Sequence, residues 1–315
     1  MAISAEGAQA AELPASHYAF VMNVSRLVGA NSFTLAPGHE LRRASTGEIS
    51  AIKEVLQNQM HAPGMVPWEQ RTVVGGPLES MPEAEWRYFV ISFQESNNIL
   101  LEIEDAFSLA PLELKIGFTV LNNIGSFGLI YDPGRLFHLL ERAQWGHVDF
   151  LDVTASDVEQ IVQIHAQLQQ HDHRLVDVKR LAKQLQGLET LPPASPLRFL
   201  GYFAVLEALL THPPKPTDPY DSITRQIKKK VSLLDHRWQP PIEYGPFPGA
   251  DAETIWTKMY AYRSSLAHGG APTFDGELQL LESHDNALKL VKQTAKAIIR
   301  QALIEPQLLA DLRDC

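Results

Sequence analysis

The sequence contains a single cysteine, Cys315, among its 315 residues, so no internal disulfide bond can form. This usage fits a reducing compartment, and we expect the protein to be cytoplasmic. No apolar run approaches the roughly 18 to 20 residues that a membrane-spanning helix needs. The N-terminal stretch MAISAEGAQAAELPASH lacks both a basic segment and a continuous apolar core, which predicts a loose tail and not a signal peptide. We therefore expect no membrane partner.

The first 150 residues also lack the common motifs of cofactor and metal chemistry. They contain no glycine-rich phosphate loop, no Cys/His zinc pattern and no Gly-x-Ser-x-Gly elbow. Farther along, His165, His171 and His173 lie close together, but their spacing matches no zinc motif and is typical of a polar helix surface. We expect neither a metal nor another cofactor.

Negative charge is concentrated in one half of the chain. The net charge is -10, and residues 1–191 contain 13 Lys and Arg against 23 Asp and Glu. Residues 192–315 contain 14 of each kind and include the densest basic run, RQIKKKVSLLDHR. This distribution permits a local surface that faces RNA, although it is no direct sign of one.

The first half mixes strand and helix patterns. ELKIGFTVL alternates between apolar and other residues, which predicts a half-buried strand. WRYFVISF and YAFVMNVSRLV are further runs of strand length. In RASTGEISAIKEVLQNQ, Ser45 precedes Glu48 by three residues, the spacing of a capping box at a helix start. The buried face predicted for this helix comprises Ile49, Ile52, Val55 and Leu56. We expect a mixed α/β domain of unknown role over residues 1–150.

Residues 151–315 are predicted to form a helical domain. From Ala155 to about Leu188, apolar residues recur at alternating spacings of three and four, which predicts one long helix that needs a partner helix. Ser195 and Pro196 begin a second helix, PLRFLGYFAVLEALLTH. Further helices are predicted around 222–235, over 252–268 and near 284–303, the last with Leu288, Val291, Ala295, Ile298 and Ala302 buried. The predicted fold class is α+β, with the mixed α/β domain followed by the helical domain.

The stretch YRSSLAHGG contains the first candidate site residues. Arg263 borders the apolar stripe of its helix, and His268 lies in the last turn before two glycines, which favour a helix C-terminus. Five residues is not a same-face spacing, so the two side chains converge only if the arginine bends or the helix end unwinds. A structural role is the alternative, because Arg and His are common at helix C-termini, where they complement the helix dipole. The stripe itself comprises Ile255, Met259, Tyr262 and Leu266.

A glutamate in the helix that begins at Pro196 adds a third candidate. Leu200, Phe203 and Leu210 define an apolar stripe in which Glu207 occupies the missing position. A carboxylate on a core-facing stripe is costly unless it is paired or hydrogen-bonded. Arg263 and His268 are the partners we expect. The alternative is a buried Glu–Arg pair that serves only the fold.

Three ordered segments, RFLGYFAVLEALL, SITRQIKKKVSLL and YRSSLAHG, resemble the ApeA-like branch of the HEPN superfamily. The hallmark of that superfamily is Arg-x-x-x-x-His near the end of a helix in a small all-α bundle. The resemblance covers about residues 195–303. Upstream, ELRRASTGEISAIKEVL looks like the N-terminal part of bacterial proteins that carry such a domain.

The resemblance implies an endoribonuclease, since many members of the superfamily cut RNA in toxin–antitoxin and antiphage systems. Such members work as dimers with the two motifs facing each other. Arg263 and His268 would then be the catalytic pair, with His268 transferring protons, Arg263 stabilising the transition state and Glu207 orienting one of them. Active members often have Asn, Asp or His directly after the arginine. This chain has Ser264, which can still hydrogen-bond but leaves a non-catalytic binding role open.

The expected partners are RNA, a second copy of the chain through the helical domain, and a protein trigger or regulator at the N-terminal domain. Arg225, Lys228, Lys229 and Lys230 could hold a phosphate backbone, with a solvated helix face as the alternative. Trp238, Tyr244 and Phe247 could stack on bases, although packing of their proline-rich loop is the simpler interpretation. The competing functions are a non-catalytic RNA- or protein-binding module and a regulatory subunit of a defence system.

Overall fold

A computed structural model of the protein describes residues 17–58, 67–72, 78–94, 97–121, 128–129, 136–137, 150–172, 174–214, 222–238, 240–247 and 249–315. The predictions for the tail before residue 17 and for His173 lie outside these residues. The described part of the chain is a sheet-rich N-terminal region followed by a helical C-terminal region, so the fold is mixed α+β.

Six strands form one antiparallel sheet in the order β3-β4-β7-β1-β8-β9. Two short strand pairs, β2 with β10 and β5 with β6, lie outside it. The strands are β1 (His17–Val21), β2 (Val24–Leu27), β3 (Ser32–Ala36), β4 (His39–Arg43), β5 (Gln70–Thr72), β6 (Leu78–Ser80), β7 (Phe89–Phe93), β8 (Ile116–Leu121), β9 (Gly128–Leu129) and β10 (Leu151–Val153).

Three predicted strands are present in this sheet region, with two differences. WRYFVISF contains β7 and ELKIGFTVL contains β8, whereas YAFVMNVSRLV divides into β1 and β2 at a turn. The half-buried character predicted for β8 is wrong, because residues 116–120 are all buried. One face of the sheet packs on the helical region, and Trp68 and the helix α1 (Thr46–Asn58) cover the other.

A bulge at Gly117 changes the face to which β8 side chains belong. Phe20 pairs with Phe118 while Val21 pairs with Ile116, so Gly117 is the extra residue. Ile116 accordingly packs in the core shared with the helices, and Phe118 packs in the core under α1. A Cβ at Gly117 would lie 2.7 Å from Met22 Sδ, which explains the glycine.

The remaining helices cover one face of the sheet and build the second half of the chain. They are α2 (Asn97–Leu109), α3 (Ala155–Gln170), α4 (Val178–Glu189), α5 (Pro196–Leu210), α6 (Ile223–Asp235), α7 (Ala252–Ala267), α8 (His284–Ile304) and α9 (Pro306–Asp314). None of the described helices combines the length and the apolar character that a membrane span needs. One hydrophobic cluster includes Val21 and Ile91 of the sheet as well as Phe203 and Ile298 of the helices. The domain division after residue 150 stays a prediction.

Two of the predicted helices are confirmed in detail. In α1 the backbone N–H of Ser45 donates to Glu48 at 2.8 Å and the N–H of Glu48 donates to Ser45 Oγ at 3.4 Å, which is a capping box. The buried residues of α1 are Ile49, Ile52, Val55 and Leu56, as predicted. In α8 the five predicted core positions, Leu288, Val291, Ala295, Ile298 and Ala302, are all buried.

The long helix predicted from residue 155 to 188 is wrong, because the chain breaks into α3 and α4. His171 leaves the helical conformation with ψ at 131°, and a separate cap begins α4, where Asp177 accepts from the N–H of Arg180 at 3.0 Å. Leu175, one of the regularly spaced apolar residues between 155 and 188, is 41% exposed. α3 and α4 both pack on α2, so neither needs the long partner helix that the pattern predicted.

A buried ion network joins the helices to the start of β8. Glu189, at the end of α4, contacts Lys292 of α8 at 2.8 Å, pairs with Arg198 of α5 and accepts a hydrogen bond from Tyr202 of α5. Glu113 extends the network by contacting Lys292 at 2.6 Å. Lys296 lies 3.3 Å from Glu113 and Lys115 lies 3.9 Å from Glu189. These contacts fix α4, α5 and α8 against the connection between α2 and β8.

The cations of this network lower the pKa of both carboxyls. Burial by itself would raise the pKa of Glu113, but Lys292 and Lys296 outweigh burial and bring it to about 2. Burial likewise opposes ionisation of Glu189, and Lys292, Arg198 and Lys115 nonetheless hold its pKa well below the ordinary value. Both carboxylates therefore stabilise the folded state only while they are ionised.

The free energy of unfolding should fall by a few kcal/mol as the pH drops below about 4.5. A carboxyl with a lowered folded-state pKa contributes stability that is present above its unfolded pKa and is lost as the pH falls towards the folded value. Urea unfolding at pH 7, 4.5 and 3 measures this loss.

The control for this pH dependence compares two glutamates. Glu113→Gln removes a titrating group of the network. The free energy of unfolding of this variant should therefore depend less steeply on pH below about 4.5 than that of the wild type. Glu159→Gln changes an exposed residue of α3 and should keep the wild-type slope. Equal slopes for Glu113→Gln and the wild type would contradict the role of the network.

Candidate functional site

The helix α7 positions the Arg-x-x-x-x-His motif. Asp251 caps it by accepting from the N–H of Thr254 at 2.7 Å. Its predicted apolar stripe is confirmed at Ile255, Met259 and Tyr262, which are buried together with Trp256, while Leu266 is partly buried. This buried face attaches α7 to α5 and α6.

A tight turn ends α7 at the motif histidine. The N–H of His268 donates to Ser264 O at 3.1 Å, and the N–H of Gly270 donates to Ser265 O at 2.9 Å. Gly269 has a φ of 77°, which favours glycine. A Cβ at Gly270 would lie 2.5 Å from Ser265 Oγ, so a side chain there would require Ser265 to move. The turn thus holds the His268 backbone at the C-cap.

Arg263 is held by Glu207 from the neighbouring helix. Its Nη2 donates to Glu207 Oε2 at 3.0 Å, and its Cζ lies 5.9 Å from the centre of the Tyr260 ring. The side chains of Arg263 and Glu207 are 28% and 19% exposed. The predicted pairing of Glu207 with Arg263 is therefore present, and the guanidinium still reaches solvent.

Glu207 is less buried than its assignment to the apolar stripe predicted. It is at the edge of the buried face of α5, and Leu200, used to define that stripe, is also only partly buried. Phe203 and Leu210 are fully buried, as expected. Glu207 Oε1 is nevertheless shielded from solvent and accepts no hydrogen bond within the described part of the chain. The carboxylate therefore keeps one acceptor unused beside the guanidinium.

Aromatic contacts fix the two helices around this pair. The rings of Phe199 and Tyr262 have centroids 4.8 Å apart in an edge-on arrangement, and those of Phe203 and Tyr260 are 6.1 Å apart. Tyr262 and Phe199 also surround His284, whose Nδ1 lies 2.7 Å from the Tyr262 hydroxyl. The pair thus lies on a rigid base.

His268 is exposed, and Ser264 between it and Arg263 is partly buried. Within the described residues, the His268 ring makes no hydrogen bond or ion pair. At about 100° per residue, positions 263 and 268 are separated by about 140° around the helix. The expected contact of Glu207 with Arg263 is formed, whereas Glu207 makes no contact with His268 among the described interactions.

The predicted RNA-binding residues do not form one solvent-facing group. Arg225 and Lys229 are exposed, Lys230 is buried, and Lys228 pairs with Glu253 at 2.9 Å. Because Glu253 is in the first turn of α7 and His268 is at its end, about 20 Å of helix separates the Lys228 contact from the motif histidine. An RNA strand that touched both would have to run along α7.

The other candidates have structural surroundings. Trp238 and Phe247 are buried and Tyr244 is partly buried, with its hydroxyl 3.3 Å from Trp256 Nε1, which supports packing of the loop over base stacking. His165 is buried with Nε2 3.7 Å from Glu102, and burial lowers its pKa. No group of three or more potential metal-binding side chains is found in the described ranges.

Sequence reasoning missed the ion network and a basic stripe on α8. Lys289, Lys292, Lys296 and Arg300 recur at spacings of three, four and four, which is same-face helical spacing. That signal was available in the sequence. The partners Glu113 and Glu189 lie far away along the chain, and their proximity to the stripe requires the tertiary fold.

Comparison of the chain with protein-family models, with curated proteins and with solved structures finds no match. The resemblance of residues 195–303 to the HEPN superfamily therefore stays a hypothesis that depends on its three sequence segments.

Glu207→Ala should lower the free energy of unfolding by about 1 to 3 kcal/mol, the usual contribution of a hydrogen bond to a charged group. The reason is that Arg263 would remain partly buried without its carboxylate partner. Urea unfolding at neutral pH measures the change.

The matched control for Glu207→Ala is Glu253→Ala, which breaks the ion pair between Glu253 at the start of α7 and Lys228 of α6. Glu253 has a 73% exposed side chain, so its removal should cost no more than about 1 kcal/mol. An equal effect of the two substitutions would show that the Glu207–Arg263 pair behaves as an ordinary surface ion pair.

Proposed function

We propose that the protein is a metal-independent endoribonuclease of the HEPN type whose catalytic residues are Arg263 and His268. The observation that carries the proposal is the combination at the end of α7 of an arginine oriented by a carboxylate and an exposed histidine. The proposed catalytic unit is an all-α HEPN bundle within residues 151–315, with its core at about 195–303. The setting we propose is bacterial antiphage defence or growth arrest.

The chemistry is transesterification at a ribose 2′-hydroxyl. A neutral His268 ring takes the hydroxyl proton, the 2′-oxygen forms a bond to phosphorus, and the bond to the 5′-oxygen breaks. A protonated imidazole gives that leaving oxygen its proton. The products are a 2′,3′-cyclic phosphate and a 5′-hydroxyl. The guanidinium of Arg263, which has donors beyond the one given to Glu207, stabilises charge on the phosphorane-like transition state.

A second copy of the chain completes the proposed site. The base must be a neutral imidazole and the acid a protonated one, and a single His268 cannot be both at once. Two facing copies of the chain would supply one of each. The exposed position of His268 at a helix end suits such an arrangement. Ser264, which is partly buried next to Arg263 in the sequence, can hydrogen-bond to the ribose or to the opposite motif. The N-terminal region is then available for a protein trigger.

The second candidate is a non-catalytic RNA- or protein-binding module. The observation that favours it is the engagement of Arg263 by Glu207 and the Tyr260 ring, which is also what a purely structural arginine would show. Serine at position 264, where active relatives of the superfamily often have Asn, Asp or His, favours it too. The two candidates differ in whether the wild-type protein cleaves RNA in a reaction that requires His268.

Purified protein should cut single-stranded RNA in the presence of EDTA and leave 2′,3′-cyclic or 3′-phosphate ends. The proposed mechanism uses only protein groups, so chelation should not slow it. Gel analysis of the products, with phosphatase and kinase treatment of the ends, measures this. Activity that disappears in EDTA and returns with magnesium would exclude the mechanism.

His268→Ala should lower the cleavage rate by about 100- to 10,000-fold, the usual effect of losing a general acid or base. His236→Ala is a matched control, because His236 is also an exposed histidine at a helix C-cap, that of α6. The control should keep the wild-type rate. Full activity of His268→Ala would exclude the catalytic role of His268, whereas RNA binding by the wild type without any cleavage would support the non-catalytic module.

Lys229→Gln should weaken RNA binding and make it less dependent on salt. The slope of log affinity against log salt concentration should become shallower by about 0.7, the contribution of one phosphate contact on a single strand. Lys229 is an exposed lysine of the basic helix. The control is Lys179→Gln, which changes a partly buried lysine of α4 that pairs with Glu102, and it should bind like the wild type. Fluorescence anisotropy at salt concentrations from about 50 to about 200 mM measures the slope. Equal slopes for Lys229→Gln and the wild type would show that Lys229 contacts no phosphate.

A further inference from the structure

A basic cleft lies between α8 and a proline-rich loop, apart from the Arg263–His268 site. Its volume is about 360 Å³, within the range of small-molecule sites. One wall is the stripe of Lys289, Lys292, Lys296 and Arg300 on α8, and the opposite wall is Pro240, Pro241 and Ile242. The cleft therefore combines a charged wall with an apolar one.

Positive charge exceeds negative charge around this cleft. The carboxylates that line it are Glu113 and Glu243, against the four cations of α8. Glu113 already contacts Lys292 at 2.6 Å and Lys296 at 3.3 Å. Among the described residues, the ion network behind the cleft adds Lys115 and Arg198 and one further carboxylate, Glu189. Cations that are shielded from water without matching anions are costly, so an anionic ligand would stabilise this region.

Arg300 is the least compensated of these cations. Its Nη1 donates to Leu109 O at 2.6 Å, and among the described residues no carboxylate pairs with it. The desolvation of its guanidinium lowers the pKa to about 10. Lys296 donates to Ala110 O at 3.0 Å, and burial lowers its pKa to about 8 despite the nearby Glu113. Both side chains thus lie where an additional negative charge would be favourable.

Capping of the α2 C-terminus explains only part of this arrangement. The Leu109 and Ala110 carbonyls use one donor of Arg300 and one of Lys296. A guanidinium has five N–H donors in a planar fork, and those left over in Arg300 suit two oxygens of one phosphate group. Lys289 is exposed at the same wall and has no role in the cap.

We propose that this cleft binds the phosphate group of a small molecule, with Arg300 and Lys296 as its main protein ligands and Lys289 at its mouth. A phosphate monoester carries a charge of about -1.5 to -2, which matches the excess of two cations among the residues that line the cleft. The proline wall would contact an apolar or flat part of the same molecule. The site is separate from the proposed RNA chemistry.

The test is a binding titration of the full chain with inorganic pyrophosphate and, separately, with ADP. Both should bind and raise the melting temperature relative to sodium chloride of the same ionic strength. Tighter binding of ADP would show that the proline wall contacts the organic part, and equal affinities would identify an inorganic phosphate site. Absence of binding by both compounds overturns the proposal.

Variants locate the binding in the cleft. Arg300→Gln should weaken pyrophosphate binding by at least about tenfold, as expected for charge-assisted hydrogen bonds. Arg180→Gln, an exposed arginine of α4 paired with Asp177, should leave the affinity unchanged. If Arg300→Gln binds as tightly as the wild type, the assignment is wrong.

Two further measurements cover the remaining outcomes. If Arg300→Gln does not fold because the α2 cap is lost, Lys289→Gln decides, with an expected two- to fivefold weakening, about what one exposed charge contributes. An unchanged affinity of Lys289→Gln then overturns the proposal. Displacement of pyrophosphate by a short single-stranded RNA in the wild type would also overturn it, because the cleft would then be part of an RNA surface.

Discussion

The pairing of Glu189 with Arg198 and Lys292 is the constraint on which the position of the candidate site depends. Buried charges are tolerated only with close partners, so these contacts fix the start of α5 against α4 and α8. Arg198 and Glu207 are nine residues apart, which is about half a turn around the helix. α5 therefore presents its ion-network residues on one side and the carboxylate that holds Arg263 on the other. The geometry of the proposed site depends on a network that takes no part in its chemistry.

The two ion pairs of α5 differ in a way that separates structure from function. Arg198 and Glu189 have side chains 8% and 7% exposed. If either one bound another group instead, the other would remain as a buried charge without its partner. Arg263 and Glu207 are 28% and 19% exposed and share a single hydrogen bond. A guanidinium of this kind can bind a phosphate while it keeps its carboxylate, because its other donors face solvent. The less buried pair is therefore the one that the proposed chemistry can use.

Sequence reasoning succeeded where a pattern is local and failed where the second partner is distant. The capping box of α1 and the apolar stripes of α1, α7 and α8 depend on residues within one helix, and the structure has them. The alternation in ELKIGFTVL cannot reveal that Trp68 and α1 cover the second face of β8. The apolar spacing from 155 to 188 continues across the break after Gln170, so periodicity alone predicted one helix. The Glu207–Arg263 pair was predicted because a carboxylate interrupted an apolar stripe, whereas Glu189 at a helix end gave no such signal.

The distribution of cations limits how the protein can hold RNA. Residues 192–315 have balanced charge by composition, but Arg198, Lys230 and Lys296 of that half are buried, and Lys292 is paired with Glu113 and Glu189. Since the ion network has more cations than carboxylates, the rest of the chain is more negative than the net charge of -10 indicates. Non-specific attraction to a phosphate backbone must then be weak. Binding by the proposed nuclease would depend on a few positioned groups, with two copies of the motif contributing to one RNA strand. This requirement agrees with a site at an exposed helix end, where a second copy can approach.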